Sequence, residues 1–385
     1  MNAGISSSKS RQSAAKAVQA REAPTQANRH QASADDGLHQ KIVEAAACLK
    51  EHGWAVIEGI LPPDVCQEYV NSVWDWLESL GTGISRENPA SWDHTRWPES
   101  FRGIINTLEV SHQDFVWRVR SHPRLVQVFA ELWGTNELLS SFDSINISKP
   151  GPEAGSAPSW LHTDQAPLRS GAVCIQGIIN IIDVAADTTG TLVVKHDSHL
   201  AHHRFFQEAT VLSEDERAAT ADFYQFQQAE LPFWEQFKSL ALSGKAGSLF
   251  LWDSRTAHQN CLPDYRKDFR HVVYVCYQDR ALASPHDMQL KQQAWDDYLV
   301  TTHWPAMNVT VFPRKGSDYY KTKKDEANGA ASSADQGPPF QIKRTRANVE
   351  SPVVLRLAGK EPYPQEEVWR KTPLLDVEHL YAAPR

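Results

Sequence analysis

The stretch from Ala172 to Ile182 constrains the fold more than any other part of the chain. On an extended backbone, side chains alternate between two faces. Gln176, Ile178 and Asn180 then share one face, and Ile175, Gly177, Ile179 and Ile181 the other. Both faces carry apolar groups, as an inner strand of a closed or sandwiched sheet requires. A polar Gln176 or Asn180 inside such a sheet needs a partner, from a neighbouring backbone or from a bound molecule. Further strands read from Leu138 to Ser148, from Thr191 to Val194, along the apolar run opened by Gly247-Ser248, and along the β-branched and aromatic run from Arg270 to Tyr277. The fold class is therefore mainly β with flanking helices.

The helices precede and interrupt the strands. Ile42, Ala45, Ala46 and Leu49 recur at helical spacing between Leu38 and His52, and Gly53 stops that helix. Trp54 to Ile57 reads as a short strand. Pro63-Asp64 opens a helix with Val65, Tyr69, Val70, Val73, Leu77 and Leu80 on one stripe, ended by Gly81. Residues 82 to 104 form a long aromatic loop, readable as a substrate lid or as packed surface. Helical patterns return from Ser111 to Arg120 and from Pro123 to Trp133. Residues 212 to 230 read as helical with a Ser213–Glu216 capping box, and a last helix runs over 284 to 300.

Two neighbouring residues carry chemistry. In Trp160-Leu161-His162-Thr163-Asp164-Gln165, His162 and Asp164 are two apart, so both leave the same face of an extended strand. His258 stands just beyond the strand of Gly247 to Trp252. Two histidines and one carboxylate with open positions are the ligand set of non-heme Fe(II) oxygenases. Arg270 opens the next strand, where a guanidinium suits a bidentate grip on a carboxylate, and Arg255 and Arg266 are its rivals for that role. His199, His202 and His203 have helical spacing that zinc can use, with His196 nearby, but no fourth ligand is evident.

His162-Thr163-Asp164, distant His258 and then Arg270 resemble, in order and spacing, the phytanoyl-CoA dioxygenase-like Fe(II)/2-oxoglutarate oxygenases. Ile181-Ile182-Asp183, Gly190-Thr191-Leu192-Val193-Val194 and Ser198-His199 follow that family's pattern of strand, glycine, strand and closing Ser-His. Gly53 to Leu61 resembles its N-terminal opening. The resemblance covers about residues 40 to 310. His196-Asp197-Ser198-His199 departs from the family's usual Pro-Gly-Ser-His, which implies a differently shaped loop. The resemblance implies a double-stranded β-helix, a cupin-like jelly roll. It implies Fe(II) held by His162, Asp164 and His258, with 2-oxoglutarate as cosubstrate and O2 as oxidant. Arg270 would take the distal carboxylate of 2-oxoglutarate. Asn260 is placed beside the cosubstrate by the resemblance, and Asn180 by strand parity alone. The implied reaction is hydroxylation of a small organic substrate, with succinate and CO2 as coproducts. Desaturation, epoxidation or ring closure on the same iron centre, or a silent binding protein on the same fold, are the alternatives.

Composition sets the outer bounds. The chain has 385 residues, 41% hydrophobic and 22% charged, enough for one large domain with a sizeable core. A net charge of −8 leaves no broad basic field for nucleic acid. The five cysteines form no Cys-x-x-Cys and are odd in number, which points to a reduced, intracellular, cytoplasmic protein rather than a disulfide scaffold. No apolar run reaches the length of a membrane span, and no apolar region of a secretory signal follows Met1. Residues 1 to 21 hold Lys9, Arg11, Lys16 and Arg21 and no acid, a composition shared by organelle transit peptides and disordered tails. The expected organisation is a disordered tail over 1–38, an oxygenase domain over 39–319, a linker over 320–340 and a C-terminal extension over 341–385.

Overall fold

The computed structural model describes residues 26–152, 159–169, 171, 173–220, 222–261, 263, 265–312, 340–342 and 351–382. It divides into two units, Met1–His39 and Gln40–Arg385. In chain order the described elements are α1 (Gln26–His52), β1 (Trp54–Ile57), α2 (Pro63–Ser79), β2 (Ile104–Ile105), α3 (Asp114–Arg120) and α4 (Pro123–Trp133). Then come β3 (Leu138–Ser140), β4 (Ile145–Ser148), β5 (Gly151–Pro152), β6 (His162–Thr163), β7 (Ile175–Asn180) and β8 (Thr191–Lys195). After α5 (His202–Glu208) and α6 (Glu214–Ala219) the chain forms β9 (Tyr224–Gln225), α7 (Leu231–Glu235), β10 (Ser239–Ala241), β11 (Ser248–Asp253), β12 (His258–Cys261), β13 (Tyr265–Arg266) and β14 (Arg270–Asp279). It closes with α8 (Pro285–Asp296), α9 (Pro352–Leu357) and α10 (His379–Ala382).

Two antiparallel sheets make the jelly roll. The larger runs β1-β11-β7-β14-β4-β2, with β3 also on β14; the smaller runs β10-β8-β12-β6-β9. The strand with two apolar faces, β7, is central, hydrogen-bonded to β11 on one side and β14 on the other. Ile178, Phe250, Trp252 and Val272 of the larger sheet pack with Leu192 and Val194 of the smaller one. That apolar layer lies between the sheets, because each strand sends alternate side chains inward.

β1 extends the larger sheet by pairing with β11, and a glycine makes the junction possible. Gly247 has φ +80, and its carbonyl accepts from the amides of both Ile60 and Leu61. A Cβ there would lie 2.0 Å from the carbonyl oxygen of Leu61. Only glycine fits so close a backbone approach in a left-handed conformation.

Several expectations change. α1 begins at Gln26, so residues 26–38 are helical where a disordered tail was expected; Ala, Gln and Arg are adequate helix formers. The run from Leu138 to Ser148 is two strands, and β14 pairs with both. α8 stops at Asp296, short of 300. The single helix expected over 212–230 is absent. The Ser213–Glu216 capping box does start α6, but the helix ends at Ala219. Tyr224 and Gln225 then pair with Thr163 and His162. Strand pairing with β6 outweighs local helix propensity there. The transit-peptide reading of residues 1–21 and nearly all of the expected 320–340 linker lie outside the described residues.

The C-terminal stretch, uninterpreted from sequence, is part of the same unit. The Leu374 amide donates to Leu132 O and the Lys371 amide to Gly134 O. Leu380 packs against the cluster of Val173, Cys174, Cys276 and Trp304. The Arg370 guanidinium grips the wholly buried Asp279 carboxylate at 2.6 and 3.1 Å, and the Tyr381 hydroxyl donates to it at 2.8 Å. Arg370→Ala is expected to destabilise the domain by roughly 1–3 kcal/mol. That is less than a fully buried pair would cost, because this guanidinium is half open to solvent. Urea unfolding of both proteins measures it; an unchanged midpoint would mean the strap contributes nothing.

Candidate metal centre

The sheet register brings the expected residues together. β12 pairs antiparallel with β6 such that His258 stands directly opposite His162. Asp164 follows β6, its amide held by Ser254 O at 2.9 Å. His162 Nε2 lies 3.6 Å from Asp164 Oδ1, and His258 Nε2 lies 3.2 Å from Asp164 Oδ2. One ligand-type atom from each of the three falls within 4.8 Å of the others, and all three residues are buried.

Both imidazoles are oriented through their other nitrogen. His162 Nδ1 is 2.8 Å from Trp160 O, and His258 Nδ1 is 2.8 Å from Thr256 O. A carbonyl only accepts, so each Nδ1 carries the proton and each Nε2 presents a lone pair inward. Burial and the neighbouring His258 push His162 down to about 3, so it is neutral at physiological pH. Burial acts to raise the Asp164 carboxyl, but His303, His258 and His162 outweigh it and hold the group well below the usual carboxylate range. Gln176 Nε2 donates to Asp164 Oδ2 at 2.7 Å. The inward polar face of β7 therefore finds its partner in this carboxylate.

A cavity of about 580 Å³ opens over these groups. Trp160, Phe223, Trp252, Trp304 and Phe312 line it together with Asp143, Asn260, Tyr274 and His303. The aromatic loop over 82 to 104 is divided in its role. Trp92 and Trp97 pack against Trp74, while Glu99, Phe101 and Ile104 line the cavity.

Arg270 is buried at 2% exposure on β14, and its Nε and Nη2 have no hydrogen-bond partner. Burial lowers this guanidinium from its usual range, and Tyr274, four residues further along β14, partly opposes that. No carboxylate pairs with it among the described residues. Its two rivals are already engaged. Arg255 makes a two-pronged pair with Asp253 at 2.9 and 2.7 Å, and Arg266 donates to Thr189 O at 2.9 Å and Lys149 O at 3.2 Å.

Asn260 shares the inward face of β12 with His258, lines the cavity, and keeps an unpartnered Nδ2. Asn180 shares the parity of Gln176 but not its surroundings. It lies four residues further along β7, about 13 Å at the usual strand rise. Its Nδ2 sits 3.4 Å from Ser248, off the cavity wall. Parity selects a face and not a depth, which is why that candidate is displaced.

Tyr274 and His303 were missed. Tyr274 is four residues beyond Arg270 and so on the same strand face, a signal the sequence did carry. His303, whose Nε2 is 3.2 Å from Asp164 O, comes from an irregular segment with no periodicity to place it. The four histidines from 196 to 203 do not converge. His199 bonds Lys50 O, His202 bonds Gln165 O, and His203 bonds Gln207. His196 instead stacks on His52 and accepts from the Trp54 indole.

The described helices include none long and apolar enough to cross a membrane. A model of the phytanoyl-CoA dioxygenase (PhyH) family matches residues 49–260. The "Ava biosynthesis cluster protein O" of Aspergillus versicolor is 30% identical over 288 residues, covering 70% of this chain and 92% of that protein. Among solved structures, iron-bound EctD from S. alaskensis is similar over 62% of this chain and 76% of its own, with 16% identity and a TM-score of 0.43. The α-ketoglutarate-dependent carbocyclase SnoK from nogalamycin biosynthesis is similar over 78% and 93%, with 15% identity and a TM-score of 0.40.

Proposed function

Because the chain belongs to the phytanoyl-CoA dioxygenase family of iron- and 2-oxoglutarate-dependent oxygenases, we propose that it oxidises a C–H bond of a small biosynthetic molecule at the His162–Asp164–His258 centre. Hydroxylation is the outcome we assign. The relative encoded in a biosynthesis cluster supports the substrate setting.

One observation carries the reading: three buried ligand-type atoms converge, and a buried guanidinium without an anion stands on a strand of the facing sheet. The donor set fits the group. Two imidazole nitrogens and a carboxylate are electron-pair donors that suit a divalent iron. Bound Fe(II) and 2-oxoglutarate supply, with O2, the oxidation of a C–H bond and the release of succinate and CO2.

The chain's own residues position and protect that chemistry. Trp160 O and Thr256 O fix the two rings, and Gln176 fixes one oxygen of Asp164. Arg270, Tyr274 and Asn260 would receive the distal carboxylate of 2-oxoglutarate through their free donors. Trp160 and Phe223, whose rings lie 4.6 and 4.8 Å from the His162 ring, shield the centre from water. A protein that had lost catalysis would have no reason to retain three ligands and their outer hydrogen bonds together.

The full chain, reconstituted with Fe(II) and incubated with 2-oxoglutarate, O2 and pooled small metabolites, is expected to release succinate. Release should stop when iron is chelated. Failure to bind 2-oxoglutarate in the presence of Fe(II), measured by calorimetry, would overturn the assignment.

A further inference from the structure

We propose that the molecule oxidised at this site carries a basic nitrogen group, a protonated amine or a guanidinium, which Asp143 binds, on an aromatic or apolar body. This rests on the site reading above and names its substrate class.

The charge of the cavity wall carries the inference. Among the described residues no lysine or arginine side chain lines the cavity, whereas Glu99, Asp143, Asp164 and Asp222 do. Two of these carboxylates are already used. Asp164 belongs to the metal centre, and Asp222 is neutralised by Arg169 at 2.7 and 3.1 Å. Asp143 and Glu99 have no ion pair among the described residues. Glu99 is exposed at the rim, whereas Asp143 is half-buried in the cavity wall. Its Oδ1 accepts from the Ser144 amide at 2.6 Å. The nearby Arg120 guanidinium donates to the Asp143 backbone carbonyl instead, and to those of Ser111 and Tyr274. Arg102 stacks on Trp160 at 5.2 Å without lining the cavity.

A carboxylate so placed is only partly solvated. Burial raises the Asp143 carboxyl above its usual range, and His303 and Arg120 only partly oppose this. A cation entering the cavity would complete the pair, while a second anion would meet repulsion with no counter-charge among the described wall residues. The rings complete the match. Phe101 and Phe223 line the cavity although 60% and 43% exposed, so they form an apolar mouth. Trp160 lines the same cavity and continues that apolar surface inward.

The test uses the anaerobic complex of the full chain with Fe(II) and 2-oxoglutarate, whose visible absorption reports the metal site by itself. Tryptamine and phenethylguanidine are titrated against indole-3-propanamide and indole-3-propanoate. Binding is read from the perturbation of that band and by calorimetry. We expect at least one of the two cations to bind about tenfold tighter or more than the matched amide and carboxylate. Asp143→Asn should erase that preference, and Asp143→Glu should retain part of it. The proposal is overturned if neither cation binds, if the amide or carboxylate binds as tightly, or if the preference survives Asp143→Asn. Absence of the absorption band in the wild type would instead overturn the site reading on which this proposal stands.

Discussion

Replacing His162 or His258 by alanine is expected to abolish Fe(II) binding and turnover while leaving the domain folded. The centre has three protein ligands, so each variant removes a third of its donors. Loss of an outer partner alone costs roughly 10–100-fold in affinity or activity, and loss of a ligand should exceed that. The structural cost is small by comparison. Each ring anchors itself to a single backbone carbonyl, and β6 is only two residues long. Losing such a hydrogen bond costs about 1 kcal/mol. Iron content after desalting, together with circular dichroism, separates the two effects. Stoichiometric iron and normal turnover in either variant would remove that histidine from the centre.

The sequence carried the larger part of this site because its signals are local or periodic. His162 and Asp164 share a face by parity. β7 announced an inner strand by apolar residues on both faces, and it is central in the larger sheet. Ser213–Glu216 and Ser284-Pro285 marked helix starts, and capping boxes stand at both. What stayed hidden depends on contacts distant in sequence. β9 forms because Tyr224 and Gln225 complete the edge beside His162, a pairing that no propensity within 212–230 contains. Asp143 lies in the irregular connection between β3 and β4, where neither strand nor helix period applies, so its place on the cavity wall could not be read. The closing segment offered only charges. Its function became visible once Arg370 and Tyr381 were seen to converge on Asp279. The three candidate arginines were indistinguishable by spacing, and only their partners tell them apart.

Arg270→Ala is expected to raise the KM for 2-oxoglutarate about ten- to a hundredfold, the loss of roughly 1.5–3 kcal/mol of charge-assisted hydrogen bonding. The argument starts from the cost of the residue as it stands. A guanidinium at 2% exposure with two unpartnered nitrogens is expensive to bury, and a chain gains nothing by keeping it unless an anion arrives. Stability should therefore move opposite to function: without cosubstrate, Arg270→Ala should melt no lower than the wild type. Added 2-oxoglutarate should raise the melting temperature of the iron-loaded wild type and leave that of the variant nearly unchanged. Arg255→Ala should behave in reverse. It leaves Asp253, a buried carboxylate, without its two-pronged partner and so lowers stability, but it should spare the KM. Arg270→Lys should recover only part of the affinity, since an ammonium cannot reproduce a fork of parallel donors. If the KM rises in Arg255→Ala and not in Arg270→Ala, the anchor lies on the wrong strand, and the orphaned guanidinium on β14 must answer to some other anion.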